Sequence, residues 1–126
     1  MKIQYTVALT LVTGVAIGAI AIESLHAQAK AVYTCAEIEI SDMNAYMKEF
    51  APIAQAALKT SGSQLLAAGP GTSIEGAPPK TRVTVRKYNS LEEAKAAYSS
   101  PEYKKARAIG DKYAKFRVFA VEAVPQ

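Results

Sequence analysis

The chain has 126 residues, half of them hydrophobic and about a fifth charged, with a net charge of +4. That length suits one domain, since domains mostly run about 100–150 residues, and that composition excludes a long disordered chain. One Cys, one His and no Trp exclude an internal disulfide and a cysteine zinc site.

The first residues read as a leader. Lys2 is the only charge before Glu23, and residues 3–22 are uncharged, rich in Val, Ala, Leu, Ile and Thr. Ala27-Gln28-Ala29 then places small residues two apart, as a signal peptidase requires. We therefore expect a signal peptide over residues 1–29, cleaved after Ala29, and one domain over 30–126. The alternative is an inner-membrane anchor through residues 3–22, because about 20 apolar residues can span a bilayer. Either way the domain is expected in the periplasm or secreted, touching a membrane only if the leader is retained. Cleavage removes His26, the one histidine. Lys2 and Glu23 cancel, so the net charge stays mild. It is also dispersed, unlike a nucleic-acid-binding arm, and no nucleic acid is expected as a partner.

Val32 to Ile40 alternates: Thr34, Ala36, Ile38 and Ile40 on one side, Tyr33, Cys35, Glu37 and Glu39 on the other. Period two marks a strand. Asp42 offers an N-cap, and Tyr46, Met47, Phe50, Ile53, Ala54, Ala57 and Leu58 recur at helical spacing as far as Thr60. Pro52 predicts a kink or break, because it has no N–H for the Lys48 carbonyl. Gly62 suits a left-handed helix C-terminus. Gln64 to Ala68 reads as a second strand, interrupted by a bulge at Gly69-Pro70-Gly71 and resumed over Thr72 to Glu75. Gly76-Ala77-Pro78-Pro79 is a loop, and Thr81 to Tyr88 a third strand. Ser90-Leu91-Glu92-Glu93 is a capping box opening a helix. Ser100-Pro101 breaks that helix and starts another, running to about Lys112, and Lys115 to Ala123 is the last strand.

The order β-α-β-β-α-β predicts an α+β, ferredoxin-like antiparallel sheet of order 4-1-3-2 with helices on one face. The other face lacks cover. We expect it to carry Tyr33, Cys35, Glu37 and Glu39 from the first strand against Arg82, Thr84, Arg86 and Tyr88 from the third. Such a face, packed on its copy, would make a homodimer with a partly polar cavity between sheets.

Several segments carry a resemblance. The first strand with Asp42 and Tyr46, the Gly76-Ala77-Pro78-Pro79-Lys80-Thr81-Arg82-Val83 run, and Ser90-Leu91-Glu92-Glu93-Ala94 leading to Ser100-Pro101-Glu102-Tyr103 resemble bacterial domain-of-unknown-function family 1330, of the dimeric α/β-barrel superfamily. The likeness covers Val32 to Val124, and the leader resembles those of exported members. It implies a ferredoxin-like fold and a homodimer but no established reaction. The sequence departs from the family at Lys87, where members often carry an acid, and at Gln64 to Ala68, where they often carry an arginine. Superfamily relatives include monooxygenases, haem proteins and muconolactone isomerases, an analogy of fold.

The leading functional expectation is a small anionic or aromatic ligand held between the sheets by Arg82, Arg86, Tyr33, Tyr98 and Tyr103, since guanidinium binds carboxylate in a two-pronged fashion. The alternatives are a cofactor-independent isomerase or monooxygenase-type enzyme using Glu37, Glu39 and Tyr88, and a ligand-free envelope structural or stress module. No metal and no cofactor is assigned: haem has no histidine ligand once the leader is gone, and the two carboxylates read as neutralised by arginine. Cys35 reads as a packed thiol.

Overall fold

In the computed structural model, which describes residues 30–126, the alternating segment Val32–Ile40 is strand β1. Helix α1 follows over residues 43–60, then β2 (Gln64–Gly69), β3 (Arg82–Tyr88), α2 (Leu91–Ser99), α3 (Pro101–Gly110) and β4 (Ala114–Glu122). The expected leader and cleavage site, or the alternative anchor, lie outside the described residues. Among the described residues no helix is long and apolar enough to cross a membrane.

The sheet order is β2-β3-β1-β4, fully antiparallel, as the element order implied. The expected caps are present. Asp42 Oδ1 accepts from the Ala45 N–H at 3.0 Å, Ser90 Oγ from Glu93 at 3.1 Å, and Ser100 Oγ from Tyr103 at 3.2 Å. Glu93 reaches back to the Asn89 N–H at 3.2 Å, one residue earlier than the usual box. Gly62 takes φ +88°, the left-handed conformation that closes α1.

Three expectations need correction. Thr72 to Glu75 does not resume a strand; residues 70–81 form no regular element. Three prolines, at 70, 78 and 79, remove donors from that stretch, and two glycines leave it without the periodicity of a ladder. The bulge falls inside β2, between Leu65 and Ala67, and not at Gly69-Pro70-Gly71. Met47 and Ile53 are exposed, because α1 turns only its Tyr46, Phe50, Ala54, Ala57 and Leu58 edge to the sheet.

The largest correction concerns the faces. In β1 and β3 the paired residues are Thr34 with Arg86, Ala36 with Thr84 and Ile38 with Arg82, while Cys35 pairs with Val85 and Glu37 with Val83. Directly opposed residues share a face. Arg82, Thr84, Arg86 and Tyr88 therefore lie under the helices, with Val32, Thr34, Ala36 and Ile38, and Glu37 and Glu39 lie on the open face. Alternation identifies the two sides of each strand. It does not say which side of one strand joins which side of the next, and a shift of one residue exchanges them.

The core lies between sheet and helices. It is built from Val32, Ile38, Phe50, Leu58, Tyr46, Tyr88 and Tyr103 with eight buried alanines, at 36, 51, 54, 57, 94, 97, 106 and 114. Gly110 ends α3 against the Phe50 ring, where a Cβ would come within 2.6 Å, so a small residue there lets α3 and α1 close on each other.

Candidate functional site

Alanines on helices facing a sheet leave space, and here long polar side chains from β3 fill it. Arg86 is 5 % exposed and Tyr88 1 %. Between Arg86 and α1 lies a small cavity of about 40 Å³, room for about three waters. Its walls are Arg82, Thr84 and Arg86 from β3, Tyr46, Phe50 and Gln55 from α1, and Tyr98 and Tyr103 from the two later helices.

Pro52 shapes one wall. Its missing N–H and its ring disturb the preceding turn, and residues Tyr46–Phe50 widen into a π-helical stretch in which the Ala51 N–H bonds to the Tyr46 carbonyl. The expected kink thus takes the form of a widened turn, a feature often found at functional sites. It sets the Tyr46 and Phe50 rings 5.0 Å apart above the cavity.

The electrostatics are one-sided. A guanidinium offers five donors and stays charged. The one hydrogen bond Arg86 makes among the described residues is from Nη1 to Ser63 Oγ at 3.0 Å, and that hydroxyl donates onward to the Leu58 carbonyl at 2.7 Å. No carboxylate among the described residues pairs with Arg86 or Arg82; the ion pairs are Lys30–Glu122, Lys80–Glu39, Arg107–Asp111 and Arg117–Glu37. Arg86 is thus a buried cation facing a cavity with one neutral partner.

The tyrosines around it hold their protons tightly. Burial raises the Tyr46 phenol above its ordinary value, with neighbouring Arg82 pulling the other way. Burial and adjacent Tyr98 raise Tyr103, partly offset by Arg107. Tyr88 is raised most, by burial and then Tyr98, against the pull of the Arg86 charge. Its hydroxyl is buried without a hydrogen-bond partner.

Among the residues expected to bind ligand, Arg82, Arg86, Tyr98 and Tyr103 come together in this cavity, inside one protomer. Tyr33 does not, because it sits on the open face opposite Val121 and Lys87. The proposed enzyme trio is separated. Glu37 lies on the open face, where Arg117 Nη1 donates to Glu37 Oε2 at 2.6 Å, and Glu39 lies near Lys80 at 3.9 Å, while Tyr88 is beneath the sheet. Acid does meet base on the open face, but the cations come from β4 and the loop before β3. Cys35 lies there too, half-buried between Val85 and Phe119.

Tyr46, Gln55 and Ser63 were not among the residues expected to bind ligand, and Thr84 was expected on the open face. The signal for them was the Ala51, Ala54, Ala57 spacing: a helix face that small must meet large residues from the sheet, and β3 supplies only arginine and tyrosine of that size.

A family model described as Domain of unknown function (DUF1330) matches residues 31–124. No curated protein matches. Solved structures share the fold at low identity. A protein of unknown function from Rhodopseudomonas palustris is 11 % identical with a TM-score of 0.63, covering 84 % of this chain and 93 % of its own. SnoaB, a cofactor-independent oxygenase from Streptomyces nogalater, is 8 % identical with a TM-score of 0.58, covering 78 % and 97 %. HapK from Hahella chejuensis is 14 % identical with a TM-score of 0.58, covering 75 % and 94 %.

Proposed function

The chain belongs to the DUF1330 family, and for this member we propose a domain that binds a small carboxylate beneath the sheet, inside each protomer. One observation carries the reading: Arg86, a cation 5 % exposed, faces a cavity with a single neutral hydrogen bond. Burying an unpaired charge costs several kcal/mol, and guanidinium cannot shed its proton to escape that cost. A carboxylate would supply the missing charge and accept two donors at once. Arg82 adds a second cation on the same wall.

Acetate should raise the thermal midpoint of the protein, while acetamide, equal in shape and uncharged, should leave it unmoved. Equal shifts from both would remove the charge argument.

The oxygenase reading has less support. SnoaB shares 8 % identity, a likeness of fold alone, and the carboxylates that would have served as a base are engaged with cations on the other face.

The open face supports a homodimer. Tyr33, Cys35, Val83, Val85, Phe119 and Val121 form its apolar middle, with Phe119 and Val121 39 % and 55 % exposed, and the single helix layer lies on the other side. A second copy would bury that middle. We place the dimer outside the cytoplasm, on the leader's pattern. Native mass spectrometry of protein from envelope fractions should show a dimer of chains beginning at Lys30. Phe119→Lys should convert it to monomer; a variant as dimeric as the parent would exclude this face.

A further inference from the structure

The cavity is too small to hold more than a carboxylate and a carbon or two. Immediately beyond it lies a second space. A groove of about 440 Å³ opens between α2 and β4, lined by Thr34, Leu91, Ala94, Val118 and Ala120, with Lys95 and Arg107 at its rim. Cavity and groove share two lining residues, Tyr98 and Tyr103.

These two rings form the partition. They meet edge to face, centroids 4.9 Å apart, and the Tyr98 hydroxyl is tied to the sheet through Thr34 Oγ1 at 3.4 Å, a long and weak hydrogen bond. Tyr98 lies in the last turn of α2, beside the break at Ser100, where the backbone turns extended (ψ 148°) before α3 begins. Of the two rings, Tyr103 is buried on α3, whereas Tyr98 sits on a helix end, held to the sheet by one stretched bond and by packing against Tyr88 at 6.3 Å.

We infer that the ligand is a carboxylic acid with an apolar tail of several carbons: its carboxylate sits on Arg86 in the cavity, and its tail passes Tyr98 into the groove. This rests on the carboxylate reading above and extends it. Leu91, Ala94, Val118 and Ala120 give the groove an apolar stretch of wall beside Lys95 and Arg107, so a longer tail gains carbon contacts there. A space near 150 Å³ already admits a benzene-sized group, so the groove has room where the cavity has none.

The test is a homologous series, acetate, butanoate and hexanoate, titrated calorimetrically into the full-length protein and into Ala120→Phe. Ala120 is exposed on β4, so a phenyl ring there fills the groove without entering the core, and circular dichroism checks the fold. In the parent, each methylene that enters the groove should tighten binding about two- to fourfold. In Ala120→Phe that gradient should flatten while acetate binds as before. Equal affinities for acetate and hexanoate in the parent would overturn the extended ligand while leaving the Arg86 anchor standing. A gradient unchanged by Ala120→Phe would overturn the groove as its seat. No binding of any acid would overturn the anchor reading itself.

Discussion

Arg86→Met is expected to make the empty protein more stable, not less. Replacing a side chain that sits on a central strand, 5 % exposed, usually costs stability through a cavity or a lost bond. Here methionine keeps most of the length and removes an uncompensated charge. It gives up one hydrogen bond to Ser63, worth about 1–3 kcal/mol for a charged donor, and recovers the larger cost of holding a guanidinium out of water. We expect a net gain of about 1–3 kcal/mol, or several degrees in midpoint for a domain of this size. The same substitution should abolish the response to acetate: in the parent, ligand at a hundredfold excess over its Kd adds about 2.7 kcal/mol, and in the variant it should add none. Arg86→Lys keeps the charge but not the fork, so it should bind weakly and gain little. Chemical denaturation with and without acetate reads all four quantities. A variant destabilised by several kcal/mol would mean that the guanidinium is already satisfied within the protein, and the binding site would lose its reason.

That expectation was half visible in the residues. Element order, caps and Pro52 specified the helices and the sheet order, because each depends on contacts a few residues apart. The chemistry depended on register. Arg82 and Arg86 alternate with Val83 and Val85, and a reader who buries valine and exposes arginine puts both guanidiniums on the open face. The fold does the reverse, because the alanine-rich faces of α1 and α2 cannot fill the space over β3 and long side chains can. The two valines then join Cys35, Phe119 and Val121 as an apolar patch, which gives the open face a better reason to meet a second copy than the charged surface first expected. Tyr98 and Tyr103 were expected to hold a ligand between two sheets; both instead line the cavity beneath one. What stayed hidden was the widened turn at Tyr46–Phe50, since a proline announces a disturbance without saying which carbonyl takes the strain.

Alkaline pH should unfold the domain steeply, and the tyrosines under the sheet are the cause. Tyr46, Tyr88 and Tyr103 are each nearly inaccessible to solvent and each held above the ordinary phenol value near 10, first by burial. The sign follows from proton counting. Below about pH 10 folded and unfolded chains carry the same three protons, so their stabilisation is complete. Above it the unfolded chain releases them while the folded chain retains them, so stability falls as pH rises until the folded phenols also ionise. Each proton that the folded chain keeps after the unfolded chain has released it contributes a slope of about 1.4 kcal/mol per pH unit, and the loss through each ring ends where its own folded phenol ionises, last for Tyr88, which is raised most. Urea midpoints between pH 9 and 12, with tyrosinate absorbance followed in parallel, should show ionisation and unfolding together for these three rings. Tyr88→Phe separates the causes. Its hydroxyl is buried without a partner among the described residues, so its removal should stabilise the protein at neutral pH by up to about 1–2 kcal/mol and make the alkaline loss shallower. A parent stability flat to pH 12, or tyrosinate absorbance rising in the still-folded protein, would show that solvent reaches these phenols and that the space beneath the sheet is not closed.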